Sequence, residues 1–121
     1  MRALFIVDDD KIVLLGLKYW FVKKGYTVRT FESSKALYPA LQDMTPDFIL
    51  LDVNLTGEYG FNISRYLKEY LNLHTTIYLW SAANLPEEDI AKSGADGFIL
   101  KPADLDVLEE IIAANVNKAV H

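Results

Sequence analysis

The chain has 121 residues, 51% hydrophobic and 24% charged, with a formal net charge of -5 and no cysteine. That is enough chain to bury one core unaided, and too apolar for a disordered segment. The composition excludes a disulfide framework, a zinc-thiolate site and a thiol nucleophile, and the acidic balance argues against a nucleic-acid surface.

The first element is the apolar run Ala3–Val7, which ends at Asp8, Asp9 and Asp10. A run this short, cut off by three acids, is neither a signal-peptide core nor a membrane span. It reads as a strand buried on both faces, and the chain as a cytoplasmic protein without membrane contact. Residues 11–24 are long enough for a helix, which Gly25 stops. In that helix Val13, Gly16, Leu17, Trp20 and Phe21 are expected to face the sheet. Leu14, Leu15, Tyr19 and Val22 are left as an apolar outer stripe.

Residues 26–31 are β-branched and aromatic, a second strand. Ser33 caps a helix reaching Asp43, with Pro39 inside it as a source of a kink or a late start. Residues 47–53 carry the strongest strand pattern, again closing on an acid, Asp52. A loop through Thr56, Gly57 and Glu58 leads to a helix over residues 59–70. Residues 75–80 form a fourth strand. Pro86 suits the first turn of the next helix, with Glu87, Glu88 and Asp89 at its positive end and Gly94 as its stop. Gly97–Leu100 is the fifth strand, followed by Lys101 and Pro102. Asp104 caps a final helix reaching Val116.

Five β-α repeats imply an α/β fold with a parallel sheet between two helical layers. Ligands in such folds bind beyond the carboxyl ends of the strands. Asp8, Asp9 and Asp10 follow strand one, Asp52 ends strand three, Ser81 follows strand four and Lys101 follows strand five. An acidic run after a strand is also what a solvated turn and helix cap look like. The conjunction carries the weight: several ionised carboxylates at one edge need a counter-charge, which Lys101 and a divalent cation supply. Oxygen ligands without cysteine or clustered histidine suit Mg2+. A carboxylate can also attack phosphorus, and phosphoryl transfer needs mainly positioning and charge neutralisation.

The sequence resembles response-regulator receiver domains over nearly its whole length. The motifs are Phe5-Ile6-Val7-Asp8-Asp9-Asp10, the stretch from Asp47 through Asp52 and Asn54 to Gly60, Trp80-Ser81-Ala82, and Gly97-Phe98 through Lys101-Pro102. The resemblance implies one receiver domain over residues 1–121. Its fold would be a flavodoxin-like (βα)5 three-layer sandwich with a five-stranded parallel sheet in the order 2-1-3-4-5. It also implies that Asp52 is the phosphoacceptor, that Asp9, Asp52 and the Asn54 backbone carbonyl bind Mg2+ with Asp8 beside it, largely through water, and that Ser81 and Lys101 contact the phosphoryl group. The Lys101–Pro102 peptide would be cis, and Asp10 would cap the first helix rather than bind metal.

Phe98 falls at the family's aromatic switch position, although core burial explains such an aromatic equally well. The implied phosphodonor is a sensor histidine kinase or a histidine phosphotransfer protein, docked on the first helix at Leu14, Leu15, Tyr19 and Val22. Cover by the last helix is the alternative reading of that stripe. An output domain, a target protein, or a second copy joined through the fourth helix, fifth strand and fifth helix or through the first helix are the further implied partners. The chain would catalyse only its own phosphorylation and dephosphorylation.

The family often has Pro where Thr56 stands, so a more mobile or differently turned loop is expected there. Two other readings compete. A small Mg2+-dependent phosphohydrolase with an aspartyl nucleophile usually has a second acid two residues on, where this chain has Asn54. A pseudo-receiver would be a docking module with no phosphorylation. A nucleotide-binding flavodoxin-like protein lacks support, because no Gly-rich loop follows strand one.

Overall fold

The computed structural model describes residues 2–119. The chain runs β1 (Ala3–Val7), α1 (Lys11–Lys23), β2 (Thr27–Phe31), α2 (Ser34–Asp43) and β3 (Phe48–Asp52). It continues through β4 (Asn54–Leu55), β5 (Glu58–Tyr59), α3 (Gly60–Arg65) and a π-helical turn (Tyr66–Tyr70), then β6 (Thr76–Ser81), α4 (Glu87–Ser93), β7 (Gly97–Leu100) and α5 (Leu105–Ala119). Five parallel strands form one sheet in the order β2-β1-β3-β6-β7, the flavodoxin-like order expected. No helix among the described residues is long and apolar enough to cross a membrane.

The sheet has a core on each face, because parallel strands between helical layers are buried on both sides. Leu4, Ile6, Leu50 and Trp80 pack with α1 and α5 on one face. Phe5, Val7, Ile49, Leu51 and Leu79 pack with α2 and α3 on the other. All five residues of β1 and of β3 are buried, which matches their unbroken apolar runs. The register sets Val7 opposite Leu51, Asp52 opposite Trp80 and Ser81 opposite Leu100. The residues that follow these strands therefore emerge side by side.

Several local signals act as read. Asp10 caps α1, its carboxylate accepting from Ile12 N and Val13 N. Ser33 Oγ accepts Ala36 N–H at the start of α2, and Pro39 does not delay that helix. Gly94 ends α4 in the left-handed region, φ 73°. Pro86, expected inside the first turn of α4, is instead extended and precedes it.

Two larger expectations also fail. Leu14, assigned to the outer stripe of α1, is buried with Leu17 and Phe21, while Gly16, assigned to the sheet, is exposed. Leu14, Leu17 and Phe21 stand at i, i+3 and i+7 and form the buried stripe, with Val13 and Trp20 partly buried beside it as read. The outer stripe is Ile12, Leu15, Tyr19 and Val22, all exposed. The helix expected over residues 59–70 is shorter. A two-residue hairpin, β4–β5, precedes it and the π-helical turn ends it. That turn keeps Leu67 buried while Tyr66 lies between the rings of Tyr38 and Tyr70, at 5.1 and 5.7 Å.

Gly60 begins α3 against the end of β3, its N–H donating to Val53 O at 2.7 Å. A Cβ there would lie 2.8 Å from Val53 Cα and closer still to the Asp52 carbonyl oxygen, both backbone atoms. Gly60→Ala should therefore cost about 1–3 kcal/mol in urea unfolding, as overpacking against an element that cannot yield does.

Candidate functional site

Parallel register brings four side chains together beyond the strand ends. Oxygens of Asp8, Asp9 and Asp52 lie within 4.8 Å of one another. Lys101 Nζ donates to Asp8 Oδ2 at 2.7 Å and pairs with Asp52 Oδ2 at 3.4 Å. Its position follows from the backbone: Lys101 N donates to Ser81 O at 2.7 Å, and the Lys101–Pro102 peptide is cis.

The three carboxylates are held differently. Asp8 is sealed from solvent. Its Oδ1 accepts Asp10 N–H at 2.9 Å and its Oδ2 accepts Trp80 Nε1–H at 3.0 Å as well as Lys101. Asp9 is partly exposed and accepts the Thr56 hydroxyl at 2.8 Å. Asp52 is 6% exposed; its Oδ1 accepts Asn54 N–H at 3.1 Å, and among the described residues its Oδ2 has only the longer Lys101 contact. Burial pushes the Asp52 carboxyl above the usual carboxylate range. The Asn54 N–H opposes that rise, the charge of Asp8 adds to it, and Lys101 opposes it.

These oxygens fit a hard divalent cation. Three carboxylates within one ligand sphere and an exposed approach beside Asp9 suit Mg2+, which keeps waters and takes one or two carboxylates. Asp9 and Asp52 are the carboxylates that would hold it, with Asp8 beside them.

Ser81 ends β6 next to this cluster. Its buried hydroxyl accepts Ala83 N–H at 3.1 Å. Phe98 lies outside the cluster, on β7 opposite Leu79, partly buried against the α2–α3 side of the core. Leu15, Tyr19 and Val22 are remote from it, on the outer face of α1.

Three residues at the site were not singled out from sequence. Trp80 was read as a strand residue; a buried indole that needs an acceptor was the available signal. Thr56 was read only as a missing proline, yet its hydroxyl anchors Asp9. Glu58 ties the β4–β5 hairpin to α2, its carboxylate accepting Ser34 N–H at 3.0 Å and the Ser34 hydroxyl. The loop is thus a fixed hairpin with Gly57 at φ 74°, a turn geometry glycine supplies.

The family model described as "Response regulator receiver domain" matches residues 4–113. The TorCAD operon transcriptional regulatory protein TorR of Escherichia coli is 30% identical over 100 residues, covering 83% of this chain and 44% of that protein. The chain spans about half the length, or less, of the first curated relatives it matches. A crystal structure of the receiver domain of TorR, the response regulator of the TMAO respiratory system, superposes with a TM-score of 0.88 at 28% identity, covering 98% of each chain. TrrA of Thermotoga maritima, crystallised in complex with Mg2+ and BeF, gives 0.83 at 22% identity, covering 95% of this chain and 99% of that one.

Asp52 has its pKa raised by folding, so its ionised form opposes folding above that pKa, and the opposition fades as pH falls through it. In EDTA at neutral pH, Asp52→Asn should raise the thermal midpoint, by roughly 3–6 °C for each kcal/mol relieved. The gain should shrink in acid. Lys101→Met, which leaves Asp8 without its ammonium partner, should instead cost about 3 kcal/mol.

Proposed function

The chain belongs to the response-regulator receiver family, and from that premise we propose that residues 1–121 act as one phosphorylation-controlled switch with Asp52 as phosphoacceptor. The observation that carries the choice is the freedom of Asp52 Oδ2. Asp8 has donors on both oxygens, and Asp9 keeps Oδ1 without a donor among the described residues but has no contact with Lys101; Asp52 combines a loosely held Oδ2 with the Lys101 ammonium 3.4 Å away.

The reaction is a displacement at phosphorus. An Asp52 oxygen forms the new P–O bond while the P–N bond of a phosphohistidine breaks, and the departing imidazole nitrogen keeps the bonding pair. The donor is a sensor histidine kinase or a histidine phosphotransfer protein. Asp52 must be ionised to attack, so the rate falls in acid. Asn54 N–H fixes the other oxygen and orients the carboxylate. Lys101 pairs with a phosphoryl oxygen from its place beside Asp52, and the Ser81 hydroxyl turns from its local partner to donate to another. Asp9, Asp52 and the Asn54 carbonyl would hold Mg2+, with Asp8 beside them, and the ion would supply the remaining positive charge around the phosphoryl oxygens.

The inward shift of Ser81 and Lys101 biases the face of α4, β7 and α5, with Phe98 as the turning aromatic. That face, or α1, joins an output domain, a target or a second copy. Moving the population from mostly off to mostly on requires a preference of about 5.5 kcal/mol for the active form. The chain works in the cytoplasm and turns over no substrate beyond its own phosphoryl group. A phosphohydrolase reading is disfavoured by Asn54 where a second acid would stand, and a pseudo-receiver reading by the convergence of three carboxylates, two of them paired with Lys101.

The exposed stripe Ile12, Leu15, Tyr19 and Val22 on α1 is the docking face for the phosphodonor. It is flanked by Lys11, Lys18 and Lys23, which favours an acidic partner surface.

Intact mass after treatment with acetyl phosphate and Mg2+ should show one phosphoryl group, absent from Asp52→Asn and from EDTA controls. Full labelling of Asp52→Asn would place the acceptor elsewhere. Leu15→Glu should leave acetyl-phosphate labelling unchanged while slowing transfer from a phosphohistidine protein. Equal transfer rates would remove α1 as the docking face.

A further inference from the structure

We propose that Trp80 is a positioning residue for the acidic cluster: its indole N–H holds Asp8 in place, so that Lys101 can leave Asp8 for an incoming phosphoryl group. The inference rests on the reading of Asp52 as acceptor. Asp8 Oδ2 accepts two donors, Trp80 Nε1–H at 3.0 Å and Lys101 Nζ at 2.7 Å. The Asp8 side chain is 1% exposed, so water cannot replace a donor that departs. A buried carboxylate oxygen stripped of its last donor is strongly disfavoured. With Lys101 as sole donor, Asp8 would resist its departure.

Trp80 removes that resistance because it cannot depart. Its ring is buried in the core with Ile6, Leu50 and Ile99 and has only two side-chain torsions, whereas the lysine stem is flexible and partly exposed. The Lys101 ammonium lies 4.9 Å from the centre of the Trp80 ring and 3.4 Å from Asp52 Oδ2. Lysine thus has a short path toward Asp52 along an aromatic face that attracts it. The chain carries its own reference for this bond, since Trp20 Nε1 is buried with no partner among the described residues.

The test uses the full chain and Trp80→Phe, which keeps an aromatic ring and removes the N–H. Calorimetric titration should show Mg2+ bound roughly tenfold more weakly by the variant, the loss typical when a group orienting a metal ligand is removed. Labelling by acetyl phosphate should slow by a similar factor, still at Asp52. A variant equal to wild type in both measurements overturns the proposal.

The wild-type indole resonances decide the matter without a variant. The Trp80 indole proton should resonate downfield of that of Trp20 and stay there through Mg2+ saturation and phosphorylation. Its collapse to the position of an unbonded indole overturns the proposal. Label persisting in Asp52→Asn is a separate result, which sinks the acceptor reading and leaves the Trp80–Asp8 bond to be judged by its resonance.

Discussion

A single ammonium group, Lys101, faces three carboxylates at the carboxyl edge of the sheet, and the rest of the site is arranged around that shortage of positive charge. Lys101 touches Asp8 and Asp52 but not with equal closeness, 2.7 against 3.4 Å. The closer partner is the more deeply buried one, where Coulomb attraction is least screened. Asp52 keeps an oxygen loosely held and a carboxyl that burial makes more basic. A site with surplus negative charge attracts a cation. When a phosphoryl group arrives, the lysine has a reason to move.

The fold supplies the rigidity that such an arrangement needs. Acids at the ends of β1 and β3 are neighbours because those strands pair directly, and Lys101 reaches them because the end of β7 is bonded to Ser81 at the end of β6. Neutral donors then do the fixing. Asp10 N–H and Trp80 Nε1–H hold Asp8, Asn54 N–H holds Asp52, and Thr56 holds Asp9. Fixed dipoles of this kind cost nothing to reorganise when charge develops. The loop after β3 shows a local solution to a missing proline: the β4–β5 hairpin, the Thr56–Asp9 bond and the Glu58 tether to α2 together constrain it.

The five β-α repeats were legible, because β1 and β3, buried on both faces, leave unbroken apolar runs that end on acids, while the strand order came from the family resemblance. Element limits moved by a residue or two, as helix and strand ends do. The errors lay where periodicity alone had to choose a face. On α1, apolar residues occupy most positions, so the edge of the stripe was ambiguous, and Leu14 and Gly16 were exchanged. The π-helical turn at Tyr66 was invisible to a helical-period reading; it accompanies the burial of Leu67 and the ring contacts of Tyr66 with Tyr38 and Tyr70.

Asp8, Asp9, Asp52, Ser81 and Lys101 could be named from sequence because acids, hydroxyl and ammonium stand at strand ends, and a parallel sheet brings strand ends together whatever fills its core. Sequence also fixed the choice of oxygen chemistry, through the absence of cysteine. Which carboxylate is sealed, which is free and which donors hold each one depended on tertiary structure. Those properties arise between residues far apart in the chain, Trp80 with Asp8 and Thr56 with Asp9, and a hydrogen bond across such a distance leaves no periodic trace in either segment.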